Sequence, residues 1–354
     1  MKIAITGLSA CGKSSLFSAC TGTEIKESAQ VRSHIGVVNV PDERLNRLSA
    51  LFNPKKTVFT TIDFVDTLPM DTQAKQERVA LFDTLRTADA LVCVIGAYKC
   101  DNNEQIMNEL DKLRLEILIN DLDMAVKRAE RLEKEIKISK NKAEKQKEVD
   151  LVQKIQPHLE SGKFLYGMQF DKDELSIMNN FALLSRKPCI YVINISDNTS
   201  KETLKTLQSN IESFLAKQSD PSPVITLNAA IEAEIAIMDE QEKALFLSEY
   251  GIEECGRDRV IKAAYSRLNL ITFFTVGEDE CRSWKIPSES TAVDAAGAIH
   301  SDLARGFIRA EVMESSMLLE LGSINEVKKA GKARLEGKTY LVKDGDIVHI
   351  MFNI

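Results

Sequence analysis

The hydrophobic positions in two parts of the chain fall into short continuous runs, and helical patterns separate several of these runs. Runs of this length that are rich in Ile, Val and Phe are typical of buried strands. They lie at residues 2–6, 57–66, 89–96, 188–195 and 223–228. Strands that alternate with helices form βαβ units, so the pattern predicts an α/β fold with a mostly parallel sheet.

A helical pattern without strands separates the two groups of runs. Between about residues 100 and 165 the chain is highly charged, and its apolar positions recur with 4-3-4-3-4 spacing, which is the seam of a coiled-coil-like helix. These positions are Leu118, Leu122, Ala125, Ala129, Leu132 and Ile136. A second helix with Leu151, Ile155 and Leu159 follows. We expect it to pack back antiparallel, which would make a helical hairpin inserted into the sheet domain.

The last part of the chain has short alternating strands. Within residues 341–352, Asp344, Gly345 and Asp346 separate two strand-like halves, and Gly345 is suited to a turn that requires φ > 0. We therefore expect a small β-rich C-terminal domain. The predicted organisation is a sheet domain at 1–100 and 165–267, a helical insertion at 101–164 and a C-terminal domain at 268–354.

Composition and charge narrow the class of protein. The chain has 354 residues, of which 44% are hydrophobic and 28% charged, as in ordinary globular proteins, and its net charge of −7 does not favour non-specific nucleic-acid binding by the whole surface. Its seven cysteines are scattered without a C-x-x-C pair, which argues against a disulfide framework or a zinc knuckle. The longest apolar stretch, at 88–97, is too short to span a bilayer, and the N-terminus has no cleavable signal design. These features predict a cytoplasmic protein without a membrane partner.

The strongest chemical signal lies at residues 7–14. Their sequence GLSACGKS satisfies G-x-x-x-x-G-K-[ST] between a predicted strand and a predicted helix. The glycines let successive backbone N–H groups form an anion-binding nest, Lys13 supplies a cation and Ser14 offers a hydroxyl to Mg²⁺. The alternative is a glycine-rich turn without a ligand. The candidate phosphate-binding residues are Gly7, Ser9, Ala10, Cys11, Gly12, Lys13, Ser14 and Ser15, with Lys13 as the catalytic candidate.

Two further residues near this loop have a chemical and a structural interpretation. Asp66 ends an apolar strand and is the natural second Mg²⁺ ligand beside Ser14, although a solubilising residue at a strand end is the alternative. Cys11 lies next to the predicted helix N-terminus, where the pKa of a thiol can fall, although a small apolar spacer is the plainer interpretation.

A base-binding region is expected at the ends of two later strands. Asn194, Ile195 and Asp197 follow the strand at 188–195, where the Asn amide would brace a loop and the Asp carboxylate would accept hydrogen bonds from a purine edge. Asn228 and Ala229 follow the next strand and would place backbone N–H groups against the base or sugar. A helix N-cap explains Asn228 equally well.

These residues carry a resemblance to a known family. GLSACGKSSLFSA at 7–19 resembles GLPNVGKSTLFNA of the YchF subfamily of Obg-related P-loop NTPases, the Obg-like ATPases. IGVVNVPDERLNRL at 35–48 resembles that family's IGVV-VPD segment, and FVDTLP at 64–69 falls where the family has FVDIAG. The stretches at 268–284, 295–312 and 336–353 resemble its ubiquitin-like C-terminal TGS domain.

The resemblance implies a P-loop G domain, an inserted antiparallel helical domain and a TGS-like domain. It also implies ATP rather than GTP hydrolysis, Mg²⁺ as cofactor and the ribosome as partner. The base-binding segment is ambiguous. Ile195 stands where guanine-specific proteins have Lys, whereas Asp197 has the carboxylate length of guanine-binding proteins and the adenine-binding family has Glu. The larger resemblance favours ATP over GTP.

The chain departs from the family at positions that sense the terminal phosphate. Ala10 replaces the P-loop Asn, and Pro69 replaces the Gly of the D-x-x-G switch and has no backbone N–H to donate. A shorter segment at 69–80, which we interpret as a turn followed by a helix, replaces the Gly-rich stretch after the switch. Gln30 falls where the family has its switch I Thr. We therefore expect Mg²⁺-nucleotide binding with weak or impaired hydrolysis.

A local basic segment at the predicted hairpin tip suggests an RNA contact. Residues 127–147 contain nine basic and four acidic side chains, an excess of 9 − 4 = +5. The basic ones are Lys127, Arg128, Arg131, Lys134, Lys137, Lys140, Lys142, Lys145 and Lys147. This excess suits contact with a phosphate backbone on the ribosome, and the alternative is a solvated helical face.

Two functions therefore remain open. One is a nucleotide-binding regulator associated with ribosomes and translation, and the other is a ribosome- or RNA-binding module whose nucleotide is structural or absent.

Overall fold

Two units, each discontinuous in sequence, make up the protein. The computed structural model describes residues 1–23, 34–138, 142–250, 252 and 254–353. The first unit comprises Met1–Val37 and Asp63–Ala264, and the second comprises Val38–Ile62 and Tyr265–Ile354. The packing of residues 38–62 with the C-terminal unit was not indicated by the hydrophobic pattern. The domain boundaries given above stay predictions.

The strands and helices follow one another along both units. The strands are β1 (Lys2–Gly7), β2 (His34–Asn39), β3 (Lys56–Val58), β4 (Thr61–Asp66), β5 (Ala90–Ile95), β6 (Cys189–Asn194), β7 (Val224–Leu227), β8 (Leu270–Thr275), β9 (Glu280–Pro287), β10 (Phe307–Glu314), β11 (Arg334–Glu336) and β12 (Asp346–Phe352). The helices are α1 (Lys13–Thr21), α2 (Glu43–Phe52), α3 (Lys75–Thr87), α4 (Asn103–Ile138), α5 (Lys142–Glu160), α6 (Lys172–Met178), α7 (Lys201–Lys217), α8 (Ala229–Ile237), α9 (Glu240–Glu249), α10 (Gly256–Arg267), α11 (Ala292–Ile299), α12 (Ser301–Arg305), α13 (Ser315–Leu321) and α14 (Ile324–Lys329).

The first sheet has the order β2-β4-β1-β5-β6-β7 among the described residues. β1 pairs in parallel with β4 and β5, and β6 pairs in parallel with β5 and β7. Every residue of β5 and β6 is buried, as expected for central strands covered by helices on both faces. The α/β prediction with a mostly parallel sheet is confirmed. Because parallel strands end at the same edge, β1, β4, β5 and β6 bring their C-terminal loops together.

The apolar run at 57–66 is not one strand, and the prediction was wrong on this point. It divides into β3, which pairs with β9 in the second sheet, and β4, which pairs with β1 in the first. Thr60 lies between them. Its N–H donates to the Ser283 hydroxyl at 2.8 Å, and its carbonyl oxygen accepts from the Val40 N–H at 2.9 Å. A continuous hydrophobic run does not reveal that its two ends have different hydrogen-bonding partners.

The predicted helical hairpin is confirmed as α4 and α5. α4 begins at Asn103, well before the predicted seam, and the seam residues Leu118, Ala125 and Leu132 are buried. Leu151 and Ile155 of α5 are buried too. Ion pairs between Arg128 and Glu148, at 2.5 Å, and between Glu135 and Lys145 show that the helices run antiparallel. None of the helices in the ranges that the structure describes is long and apolar enough to cross a membrane.

The second unit contains the second sheet, ordered β11-β10-β12-β8-β9-β3. β10 pairs antiparallel with β12, and β8 pairs antiparallel with β9, which confirms the β-rich C-terminal prediction. Gly345 has φ 89° immediately before β12, as the turn required. Residues 341–343 do not form the predicted first strand, because only Leu341 makes an isolated bridge, with Thr291.

Candidate phosphate-binding site

The loop at residues 7–14 connects β1 to α1 at the C-terminal edge of the first sheet. Gly12 is the N-cap of α1 and has φ 92°, a conformation that favours glycine. A Cβ at this position would collide with the side-chain amide of Asn194, and a Cβ on Gly7 would lie 2.5 Å from the Val94 carbonyl oxygen. Close packing therefore favours glycine at both positions, and the backbone conformation is a second reason for glycine at Gly12.

One face of this loop is open to solvent. Ser9, Ala10 and Ser14 are exposed, whereas Leu8 and Cys11 are buried beneath them. Burial raises the pKa of the Cys11 thiol and outweighs the opposing charge of Lys13. The suggestion that the thiol has a lowered pKa is wrong, and Cys11 serves as an apolar spacer.

The Lys13 side chain folds back along the loop. It is buried to 7% exposure, and its Nζ donates to the Leu8 carbonyl oxygen at 3.1 Å. Lys13 begins α1, so its ammonium and the free N–H groups of the first helical turn form one positive region. This region suits an anion with several oxygens, such as a polyphosphate.

Ser14 and Asp66 lie together at the edge of the same region. The Ser14 hydroxyl donates to Asp66 Oδ2 at 2.8 Å, and Asp66 Oδ1 is buried without a hydrogen-bond partner in the described ranges. Burial raises the pKa of Asp66, against the opposing effects of the Ser14 hydrogen bond and the Lys13 charge. A buried carboxylate oxygen with no protein partner has room for a proton, a water molecule or a cation. This pair fits Mg²⁺, which is commonly bound by one or two protein oxygens together with water and substrate phosphates.

Asn194 at the end of β6 links the phosphate loop to the start of α8, which follows β7. Its Nδ2 donates to the Cys11 carbonyl oxygen at 3.1 Å, and its Oδ1 accepts from the Ala229 N–H at 2.9 Å. The side chain is 5% exposed. The structure thus places an amide that braces the loop where the sequence predicted one.

The remaining candidates for base contact lie around this connection. Asp197 is exposed beyond the end of β6, and Ile195 is partly buried, with its N–H on the Leu227 carbonyl oxygen at 2.9 Å. The Asn228 side chain caps α8, because it accepts hydrogen bonds from the backbone N–H groups of Ala230 and Ile231. The N-cap alternative therefore describes Asn228, and nucleotide contacts of these residues stay a prediction.

The sequence did not indicate that residues after β5 support the phosphate loop from outside. Tyr98 donates its hydroxyl proton to the Ala10 carbonyl oxygen at 2.7 Å, and Lys99 Nζ donates to the Ser9 carbonyl oxygen at 3.0 Å. Lys99 also pairs at 3.1 Å with the buried carboxylate of Glu109 from α4. The one available signal was the parallel order of strands, since the loop after β5 must lie beside the loop after β1.

The segment after β4 also contacts the phosphate loop. Met70 donates its N–H to the Gly7 carbonyl oxygen at 3.0 Å. Asp71 Oδ1 accepts from the Ser9 N–H at 2.9 Å and from the Ser9 hydroxyl at 2.7 Å. Although partial burial opposes it, these hydrogen bonds lower the pKa of Asp71. Asp71 was not among the predicted site residues.

The structure describes some of the other positions at which this chain departs from the family's switch segments. Residues 69–74 form a turn before α3 begins at Lys75, in agreement with the predicted turn and helix. Pro69 has no N–H to donate, as the sequence indicated. Gln30, the position matched to the switch I Thr, lies outside the described residues.

The basic segment at 127–147 is partly neutralised by ion pairs within the first unit. Lys127 pairs with Asp123 and Lys147 with Asp173, each at 2.7 Å, in addition to the Arg128 and Lys145 pairs that join α4 to α5. Arg131, Lys134 and Lys142 are exposed. The side chains of Lys137 and Lys140 lie outside the described residues.

Comparisons with known proteins cover both the sequence and the structure. A family model named YchF-GTPase_C, described as "Protein of unknown function (DUF933)", matches residues 270–353. "Ribosome-binding ATPase YchF" of Bacillus subtilis is 36% identical over 368 aligned residues, which cover 99% of this chain and 98% of that protein. The protein of the same name from Haemophilus influenzae is 34% identical, with 100% and 99% covered. The solved "Structure of the Schizosaccharomyces pombe YchF GTPase" superposes with a TM-score of 0.85 at 26% identity and covers 99% of this chain and 97% of that one.

Proposed function

The chain belongs to the YchF family, and on that premise we propose that it binds a purine nucleotide with Mg²⁺ and associates with ribosomes in the cytoplasm. The observation that carries the nucleotide proposal is the pairing of Ser14 with Asp66 beside the Lys13 side chain, at 2.8 Å between hydroxyl and carboxylate oxygens. A merely structural glycine-rich turn does not require a buried, unpartnered carboxylate oxygen at its edge.

Each part of the site has a role in this proposal. The backbone N–H groups between Gly7 and Ser15 face the phosphates, with Ser9, Ala10, Cys11 and Gly12 forming the turn of the nest. Lys13 neutralises phosphate charge and stabilises charge that develops when the β–γ bond breaks. Ser14 and Asp66 hold Mg²⁺, which when bound neutralises the phosphate oxygens.

The base is proposed to lie near the end of β6. Asn194 fixes this side of the site by bonding both the phosphate loop and Ala229. Asp197 is exposed and has its carboxylate available for a purine edge, with Ile195 and Asn228 beside it. We infer that ATP is preferred over GTP because the relatives are named ATPases.

Hydrolysis is proposed to be weak. Pro69 cannot donate an N–H to a terminal phosphate, and Ala10 has no side-chain amide with which to hold a monovalent cation. A second candidate function follows from the same two residues. It is a ribosome- or RNA-binding module in which a bound nucleotide is structural and does not change the conformation.

The ribosome contact is proposed to involve the hairpin of α4 and α5 and the C-terminal unit. In the hairpin, Arg131, Lys134 and Lys142 are exposed and suit electrostatic contact with RNA phosphates. The ion pairs of their neighbours restrict this contact to fewer side chains than the sequence count of nine suggested.

Calorimetric titration tests the proposal. Mg²⁺ complexes of non-hydrolysable ATP and GTP analogues, ADP and GDP are titrated into the full chain and into the Lys13→Ala variant, with an exposed lysine, Lys205→Ala, as the matched control. We expect micromolar binding to the wild type and the control and none to Lys13→Ala. Binding that survives in Lys13→Ala contradicts the assignment of the loop.

A turnover assay separates the two candidate functions. Steady-state hydrolysis close to that of an intact relative, measured side by side, would refute impaired hydrolysis. Equal affinity for di- and triphosphate, with ribosome binding independent of both, would favour the module with a structural nucleotide.

A further inference from the structure

Asp71 accepts a hydrogen bond from a backbone N–H of the phosphate loop. Its carboxylate accepts two hydrogen bonds from one residue, the N–H and the hydroxyl of Ser9, at 2.9 and 2.7 Å. Met70 anchors the same segment through the Gly7 carbonyl oxygen. A carboxylate therefore lies where the loop presents a donor to anions. The resembling motif GLPNVGKST has Pro in place of Ser9, and Pro offers neither of these donors.

The position of Asp71 in the sheet topology identifies the phosphate it faces. β4 lies on one side of β1, and β6 lies on the other side, beyond β5. Asp71 follows β4 and Asp66, on the side of the proposed Mg²⁺ ligands, whereas Asn194 and the proposed base region follow β6. In P-loop proteins Mg²⁺ bridges the β- and γ-phosphates. Asp71 therefore lies on the side that receives the end of the phosphate chain, away from the base.

A terminal phosphate and Asp71 then compete for the same space and the same donors. Both are anions, so they repel each other, and the low pKa of Asp71 keeps its carboxylate charged near neutral pH. A diphosphate ends before this point and leaves the contact with Ser9 in place. A triphosphate has to displace Asp71 from Ser9 or bind beside an uncompensated negative charge.

We propose that Asp71 is a specificity-determining residue that competes with the terminal phosphate for Ser9 and lowers the preference of this chain for triphosphate over diphosphate. This inference rests on the proposed nucleotide site. It gives a second reason why the terminal phosphate is sensed weakly. A carboxylate competes with this phosphate, in addition to the N–H donor that is missing at Pro69.

The test measures the ratio of triphosphate to diphosphate affinity in the full chain. Mg²⁺ complexes of a non-hydrolysable ATP analogue and of ADP are titrated into the wild type, Asp71→Asn and Asp71→Ala. Asp71→Asn keeps the shape and an oxygen acceptor but removes the charge, so it separates repulsion from hydrogen bonding. Asp150→Asn removes one exposed carboxylate from α5 and is the matched control.

We expect Asp71→Asn and Asp71→Ala to bind the triphosphate analogue about tenfold more tightly, with ADP affinity unchanged within about twofold. Ser9→Pro removes both donors and introduces the residue of the resembling motif; it releases Asp71 but also takes the donors from the phosphate, so it should raise the same ratio less than Asp71→Ala does. Asp150→Asn should leave the ratio as in the wild type.

Equal changes for both nucleotides, or an unchanged ratio in both Asp71 variants, would overturn the role of Asp71 while leaving the nucleotide site intact. A wild type that binds neither nucleotide would overturn both proposals. Thermal unfolding followed by circular dichroism identifies a variant that does not fold, and Asp71→Asn, being nearly isosteric, decides the question if Ser9→Pro fails to fold.

Discussion

The Tyr98 hydroxyl is bonded at 2.7 Å to the carbonyl oxygen of Ala10, a residue held at φ 53°. An alanine in this left-handed region costs about 1–2 kcal/mol relative to the usual helical conformation. Such a conformation persists only where surrounding contacts impose it. Tyr98 supplies one of these contacts, since it holds the peptide group that follows Ala10 in place and so keeps the open face of the phosphate loop in one conformation.

Ala10→Gly should therefore stabilise the protein. The left-handed conformation costs glycine nothing, but its greater freedom in the unfolded chain offsets part of the gain, so we expect an increase of about 0.5–1 kcal/mol in the free energy of unfolding. Urea unfolding measures the change. Ala80→Gly, at an exposed position within α3, is the control and should destabilise by about 1 kcal/mol. A loss of stability in both variants would show that Ala10 is not strained.

Breaking the ion pair between Arg114 and Asp220 should be costly. Arg114 lies in α4 and donates to the Asp220 carboxylate and to the Tyr191 hydroxyl, and the side chains of Arg114 and Asp220 are only 2% and 1% exposed. Arg114→Met leaves Asp220 buried without its cation, so we expect a loss of about 3–5 kcal/mol in urea unfolding.

An exposed pair of the same helix provides the comparison for Arg114. Lys127→Met removes the cation of the Lys127–Asp123 pair, whose side chains are more than half exposed, and should cost less than about 1 kcal/mol. Similar losses in the two variants would mean that Arg114 does not anchor α4 to the sheet.

These residues also show how far the sequence could predict the site. Gly12, Lys13 and Ser14 were predictable because their spacing is local, and Asp66 was predictable because it ends a buried strand. The contacts of Asp71 and Tyr98 with the phosphate loop were not, since they join residues 62 and 88 positions apart, and no local spacing records such a pairing.

The fold itself shows the same division between local and long-range information. The helical seam from Leu118 to Ile136 predicted α4, but nothing in that pattern distinguished Arg114 from the other charged residues of the segment. Its burial depends on Tyr191 in β6 and on Asp220 in the segment before β7. Hydrophobic periodicity therefore predicted the elements, and the buried polar contacts that join them required the structure.

Charge reversal on the hairpin tests the proposed ribosome contact. The triple variant Arg131→Glu, Lys134→Glu and Lys142→Glu changes three exposed residues of α4 and α5. If each contacts one phosphate, ribosome co-sedimentation should weaken about tenfold or more at low salt, and its logarithmic salt dependence should fall by about 3. Nucleotide affinity should stay as in the wild type.

A second triple variant controls for net charge in that experiment. Lys2→Glu, Lys205→Glu and Lys217→Glu alter exposed lysines of β1 and α7 and change the total charge by the same amount. It should pellet with ribosomes like the wild type. Equal weakening by both triples would mean that only the overall charge matters and would exclude a specific role of the hairpin.

Asp66 should make stability depend on pH in a direction that Mg²⁺ reverses. Burial raises the pKa of Asp66 above its ordinary value of 3.8, so the folded state holds this proton more tightly than the unfolded state does. The stabilisation is complete below the ordinary pKa and is lost as pH rises through the raised pKa of the folded state. At neutral pH the unpaired carboxylate oxygen therefore destabilises the protein, and a cation that neutralises it restores stability.

Asp66→Asn should separate these effects. Without ligands at pH 7 we expect the variant to be about 1 kcal/mol more stable than the wild type, because it no longer buries a charge that Ser14 and Lys13 only partly compensate, and its loss of stability above about pH 4 should be smaller. At a fixed nucleotide concentration, added Mg²⁺ should raise the melting temperature of the wild type and of Asp63→Asn, a control on the same strand, but should add little to that of Asp66→Asn. Calorimetric melting from pH 4 to 8 with and without Mg²⁺ measures all three proteins. Equal stabilisation of Asp66→Asn by Mg²⁺ would contradict its role as a metal ligand, because the amide that replaces the carboxylate carries no charge to hold the cation.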